Sequence, residues 1–116
     1  MNTNDDCTEE RPWGYFTILD RSDRVWVKRI EVNPSQRLSM QRHQKRKEIW
    51  LCVSGDGTAH IDGVDVELKE GVVVTIHKRA WHRLIAGRDG VTIIELAHGD
   101  PNENDIERSE DDYGRR

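Results

Sequence analysis

Four acidic-glycine pairs, Asp56-Gly57, Asp62-Gly63, Glu70-Gly71 and Asp89-Gly90, cut the middle of this 116-residue chain into short segments. Glycine reaches the positive φ that tight hairpin turns need, so each pair reads as a break between strands. The runs between them, 25–32, 49–53, 58–61, 64–68, 72–76, 82–86 and 91–97, are rich in β-branched and aromatic residues. The first of these alternates. Trp26, Lys28, Ile30 and Val32 share one face, and Val25, Val27, Arg29 and Glu31 share the other. No window holds a helical period for three turns; one helical turn is expected over 104–110. Many short strands at near-regular spacing predict an all-β sandwich or barrel.

The length fits one domain spanning 1–116. Residues 1–10 and 99–116 are polar and acidic, so a flexible lead and an acidic C-terminal segment are expected to flank the strands. Charged residues make up 34% of the chain, with a net charge of −4. That balance argues against nucleic acid as a partner, which calls for a basic surplus. No apolar run approaches the roughly 20 residues of a membrane span. The acidic N-terminus resembles neither a secretory signal nor a transit peptide, so a cytoplasmic location is expected. Cys7 and Cys52 fall in a tail and in a strand, and a structural disulfide between them is not expected.

The residues with the most chemistry are Gln41, His43, Glu48 and His82. Gln41 and His43 are two apart, which puts them on one face of a strand. Glu48 follows five residues later, and His82 arrives in a later strand. Taken singly, each has an ordinary explanation: a surface imidazole, a solvated strand-end carboxylate, a hydrogen-bonded core histidine. Taken together they are four oxygen and nitrogen donors able to converge on one divalent metal ion. The basic run through Arg42, Lys45, Arg46 and Lys47 reads equally as a solvated loop or as an anion-binding lip beside such a site.

The spacing His43, Glu48, Gly55 and then Gly71, His82 resembles the two motifs of the cupin superfamily, with Gln41 at the first histidine position. A narrower resemblance covers almost the whole chain. Arg11-Pro12-Trp13-Gly14, Lys28-Arg29-Ile30, Leu38-Ser39-Met40-Gln41, Val53-Ser54-Gly55, His82-Arg83-Leu84, Ile94-Glu95 and the tail from Asp105 to Arg115 are similar to the type II mannose-6-phosphate isomerase family. In many relatives that domain follows a mannose-1-phosphate guanylyltransferase domain. No Gly-rich phosphate loop occurs here, so guanylyl transfer is not expected of this chain.

The resemblance implies a cupin-type double-stranded β-helix, or jelly-roll barrel. It implies a metal-dependent aldose–ketose isomerase acting on a small sugar phosphate, interconverting mannose 6-phosphate and fructose 6-phosphate. Gln41, His43, Glu48 and His82 would hold the divalent ion. Zinc is the first expectation, with manganese, cobalt, nickel or iron as alternatives. Arg46, Arg83, Arg108 and Arg115 are candidate phosphate ligands. The base that moves the proton is open: His77 is the free imidazole nearest in sequence, with Lys28 and Glu95 as further options. Relatives usually carry His where Ile49 stands, and Pro and Gly where His77 and Arg79 stand. A non-catalytic cupin that binds metal and a sugar or sugar phosphate, as a sensor or partner subunit, is the alternative reading. A cupin dioxygenase fits less well, because Gln41 replaces an imidazole. Exposed sheet edges make a homodimer the expected assembly.

Overall fold

Nine β-strands supply the regular structure of residues 7–115, the part of the chain that the computed structural model describes. They are β1 (Thr8–Arg11), β2 (Gly14–Arg21), β3 (Val25–Val32), β4 (Met40–Arg42), β5 (Arg46–Ile61), β6 (Val64–Leu68), β7 (Val73–Ile76), β8 (His82–Gly99) and β9 (Glu107–Glu110). The named strand pairings are all antiparallel, and the strand order runs β1-β2-β3-β8-β4-β9, while β5 joins β6, β7 and β8. Among the described residues no helix is long and apolar enough to cross a membrane.

The two long strands make the barrel. β5 and β8 pair twice, once from Arg46↔Gly99 to Gly55↔Val91 and again from Gly57↔Ala86 to Ile61↔His82. One register shift, at Cys52/Ser54, falls near the end of the first block, and a second, at Gly55/Gly57, lies between the two. Such irregularities bend a strand and increase its twist, so a single sheet curls back over itself. Gly55 makes the bend possible. Its φ is +81°, and a Cβ there would lie 2.1 Å from the carbonyl oxygen of Gly90. The breaks expected at Asp56-Gly57 and Asp89-Gly90 are therefore bends within continuous strands, not strand ends. The other two breaks hold. Asp62 and Gly63 both have positive φ, 47° and 82°, and close the β5–β6 hairpin between Ile61 and Val64. Gly71, at φ 91°, sits in the turn before β7.

The faces of β3 are as the alternation predicts: Trp26, Lys28, Ile30 and Val32 are all buried. Across the sheet, Ile30 faces Ile93, and Ile93 faces Cys52. Trp13, Phe16, Trp50, Leu68, Ile76 and Leu84 complete the core. Each such large side chain, fully buried, contributes about 1.5–3 kcal/mol. With a single Phe in the chain, Trp13 and Trp50 do the filling. Cys7 and Cys52 are both free, as expected.

Both ends differ from the sequence reading. Residues 8–10, expected to be flexible, belong to β1 and pair with β2; the same expectation for residues 1–6 lies outside the described residues. The helical turn expected over 104–110 is instead strand β9, which adds to the edge of β4. Extended backbone there lets Glu107 and Glu110 reach Arg42 (3.0 Å) and Arg83 (3.4 Å) on neighbouring strands. Asp112 continues the series with Arg37 at 2.7 Å. The C-terminal segment is thus tied across the barrel by ion pairs rather than left free.

Candidate metal centre

Three of the four expected metal ligands meet. His43 follows the end of β4, Glu48 lies on β5 and His82 begins β8, and their relative exposures are 4%, 2% and 2%. Their donor atoms all lie within 4.8 Å of one another. Glu48 sits between the imidazoles, with Oε2 3.4 Å from His43 Nε2 and Oε1 3.7 Å from His82 Nε2. The two rings are 5.2 Å apart at their centroids.

The imidazoles are presented in the form a metal needs. His43 Nδ1 is 2.7 Å from the Asp105 carbonyl oxygen, and His82 Nδ1 is 2.9 Å from that of Ala80. A carbonyl only accepts, so in both rings Nδ1 carries the proton and Nε2 offers its lone pair toward Glu48. This is the outer hydrogen bonding that orients metal-binding histidines. Burial, opposed in part by Glu48, pushes the His43 imidazole down to about 4, so its lone pair is free at neutral pH. Two imidazole nitrogens and a carboxylate form a set suited to zinc and the neighbouring divalent transition ions. The residues fit the ion that the fold implies.

Gln41, the fourth expected ligand, lies on β4 beside this group. It is the cross-strand partner of His82, so both side chains leave the same face of the sheet. Its amide nitrogen donates to Ser39 Oγ at 3.1 Å, which leaves the amide oxygen as the end available to a ligand.

The charges around Glu48 are balanced at close quarters. Burial would raise its carboxyl, but the Arg46 guanidinium beside it outweighs that and holds it well below the usual carboxylate range. Arg46 donates to Glu48 Oε2 at 2.8 Å and to His43 Nε2 at 3.1 Å. Trp50 Nε1 donates to both Glu48 Oε1 (3.1 Å) and Glu95 Oε1 (3.2 Å). Glu95 is the opposite case. Burial, reinforced by the negative charge of Glu48, pushes its carboxyl well above the usual range. Its partner across the sheet is Lys28, whose ammonium bonds Glu103 at 2.7 Å and lies over the rings of Trp26 and Phe16.

A cavity of about 150 Å³ opens beside this group. Gln41, Arg46, Lys28 and Glu95 line it, with Arg11, Arg108, Arg115 and Glu103 and an apolar wall that includes Trp13 and Phe16. Arg46 lines the cavity and also bonds Glu48 and His43 of the ligand group. Of the expected phosphate ligands, Arg108 and Arg115 line the cavity too. Arg108 Nε is buried without a partner among the described residues. Arg83 does not reach the cavity: it donates to the Leu38 carbonyl at 2.9 Å and to Glu110, and so anchors the C-terminal segment. His77 stands apart. Ile76 points into the core, so the next residue points out, and His77 is exposed on the outer surface with Lys47 and His98. Ile49 likewise lies between the buried Glu48 and Trp50 and takes the opposite face, so its departure from the family pattern leaves the ligand group untouched.

Arg11 and Glu103 were not singled out from the sequence as site residues. The carbonyls of Asp105 and Ala80 leave no trace there, since any residue supplies a backbone oxygen. Lys28 and Glu95 did carry a signal: both occupy inward positions of alternating strands.

Comparison with known proteins agrees with this arrangement. Residues 2–111 match the family described as Mannose-6-phosphate isomerase C-terminal. The chain is 40% identical over 115 residues to the alginate biosynthesis protein AlgA of Pseudomonas aeruginosa, covering 97% of this chain and 24% of that protein. It is 39% identical over 107 residues to the mannose-1-phosphate guanylyltransferase of Escherichia coli, covering 90% and 22%. The chain thus spans about a quarter of the length of these curated relatives. Among solved structures, a Klebsiella pneumoniae protein with a double-stranded β-helix domain superposes with a TM-score of 0.74 at 14% identity, covering 95% of this chain and 96% of that one. A cupin-2 domain from Rhodospirillum rubrum gives 0.67 at 20% identity, covering 78% and 67%. The barrel is a cupin-type double-stranded β-helix.

Proposed function

The chain belongs to the mannose-6-phosphate isomerase C-terminal family, and on that premise we propose that it is a metal-dependent aldose–ketose isomerase interconverting mannose 6-phosphate and fructose 6-phosphate. The observation that carries the reading is the buried group of His43, Glu48 and His82, with both Nε2 lone pairs set by backbone carbonyls, beside a cavity lined by several cations. His43 Nε2, His82 Nε2, the Glu48 carboxylate and the Gln41 amide oxygen would hold a divalent ion, zinc first. Such an ion supplies Lewis-acid polarisation of a sugar carbonyl and stabilises the negative charge that develops on its oxygen.

The chain's own residues do the rest. Arg11, Arg108 and Arg115 offer forked donors to a phosphate, and the unpartnered Nε of Arg108 is a donor that a phosphate oxygen satisfies. Trp13 and Phe16 give the sugar an apolar wall that keeps water out. Glu95 is the carboxyl best placed to move the proton between C1 and C2. It is buried, lines the cavity and shares the Trp50 N–H with Glu48. Lys28, directly across the sheet, is positioned to steady the charge on Glu95 as the proton moves. His77 is too far round the barrel surface for this role.

A coupled assay for fructose 6-phosphate, run with chelator and with added zinc, manganese or cobalt, tests the proposal. Turnover should require the ion. Glu95→Gln should keep the ion and lose turnover by roughly 10²–10⁴-fold. Thermal stabilisation by mannose 6-phosphate with no turnover under any ion would overturn the catalytic reading in favour of a binding module.

A further inference from the structure

On the outer face of the barrel, well apart from the cavity, lies a depression of about 470 Å³. All five residues that line it are basic: Lys47, His77, Lys78, Arg79 and His98. The pairing of the strands brings them together. Lys47 and His98 are direct partners on β5 and β8. His77 extends β7 one step beyond Ile76, which pairs with Glu48, so it comes level with Lys47. Lys78 and Arg79 follow in the turn.

Two observations set this cluster apart. The first is that none of the five side chains bonds a carboxylate among the described residues, in a chain with a net charge of −4. Arg29, Arg37, Arg42 and Arg83, by contrast, each do so. Like charges gathered without counter-ions repel one another, and an anion relieves that repulsion. The second is Arg79 itself. It is held at φ +69°, a left-handed conformation that glycine adopts freely and a branched backbone residue resists. The fold uses only its backbone N–H, which donates to the His43 carbonyl at 2.7 Å. A glycine would keep that bond without strain, so the backbone does not call for an arginine at this position.

We propose that this depression is a second binding site, specific for a small anion carrying a diphosphate group. Two ammonium groups and a guanidinium match the charge of two linked phosphoryl groups, and the imidazoles add donors at the edge. The site is independent of the isomerase reading, because it shares no side chain with the interior cavity.

The test is calorimetric titration of metal-free protein with inorganic pyrophosphate at low salt. Saturable binding is expected. Arg79→Gly and Lys47→Ala should each weaken it at least tenfold, while Lys69→Ala, at an exposed lysine outside both the depression and the interior cavity, should not. Arg79→Gly should also melt at the same temperature as the parent or higher, which separates lost binding from lost folding; if it does not fold, Lys47→Ala decides. The proposal is overturned if pyrophosphate does not bind at millimolar concentration, if Arg79→Gly and Lys47→Ala bind like the parent, or if Lys69→Ala weakens binding as much as they do. Retention on a heparin column without pyrophosphate binding would likewise overturn it, in favour of a surface for polyanionic polymers.

Discussion

Replacing Arg46 with methionine should cost the metal-free protein much of its stability, and a divalent ion should return most of the loss. The side chains of Arg46 and Glu48 are 6% and 2% exposed, so neither charge has water to fall back on. The guanidinium donates to Glu48 at 2.8 Å, to His43 at 3.1 Å and to the Asn102 carbonyl at 3.3 Å. Methionine keeps a stem of similar length over the Trp26 ring but supplies no charge and no donor. Removing one partner of a buried ion pair leaves the other uncompensated and costs about 3–5 kcal/mol. In a domain of this size that corresponds to a melting temperature lower by roughly 12–20 °C. An ion held by His43, Glu48 and His82 places positive charge beside the same carboxylate. Added zinc should therefore stabilise Arg46→Met more than it stabilises the parent, in which the guanidinium already occupies that side of Glu48. Urea and thermal unfolding with chelator and with zinc measure both effects. The double variant Arg46→Met/Glu48→Gln should recover much of the loss without any ion. If chelated Arg46→Met melts within a few degrees of the parent, or if zinc raises both melting temperatures equally, the argument that Arg46 and a metal serve the same carboxylate is wrong.

Other outcomes follow from single contacts. Gly55→Ala should destabilise by about 3 kcal/mol or more, because left-handed strain adds to a backbone overlap with Gly90. Gly63→Ala, at nearly the same φ but with open space around it, should cost only about 1–2 kcal/mol; equal urea midpoints for the two variants would contradict this. Hydrogen bonds from Arg115 hold the Asp111 carboxyl down at about 2, below its ordinary value near 3.8. A depressed carboxyl stabilises the fold above its unfolded value, so up to about 2 kcal/mol should be lost as pH falls from roughly 4 to 2. Asp111→Asn should flatten that part of the pH–stability curve, and parallel curves would refute the assignment. Trp50→Phe should cost about 1–3 kcal/mol, since the indole N–H serves both Glu48 and Glu95; a change under about 0.5 kcal/mol in urea unfolding would show that the two carboxyls find another donor.

How much of this could be read in advance depended on whether the information was local. The alternation of β3 is local, and it set Lys28 on the same face as Trp26, Ile30 and Val32, the face that the fold buries. The Asp62-Gly63 and Glu70-Gly71 turns are local too. The bends at Gly55 and Gly90 are not: whether a glycine ends a strand or lets it pass close to another depends on what crosses it. The grouping of His43, Glu48 and His82 as candidate ligands was legible because their chemistry is carried by side-chain type and spacing. His77 was assigned by proximity in sequence, and the parity set by the buried Ile76 turned it outward. Arg83 matched the expected residue type, yet its burial against Leu38 and Glu110 made it an anchor. The strand at Glu107–Glu110 draws its pairing from β4, more than sixty residues earlier, and nothing in its own composition announces that.

The hydrogen bond from His43 to the Asp105 carbonyl joins positions 62 residues apart. Until the final segment docks, the ring that must face the ion is free to rotate, and the three donors exist without a common aim. A partly folded or prematurely terminated chain would then capture a divalent ion only loosely. The shape of the candidate ion site therefore depends on a contact that only the docked C-terminal segment supplies.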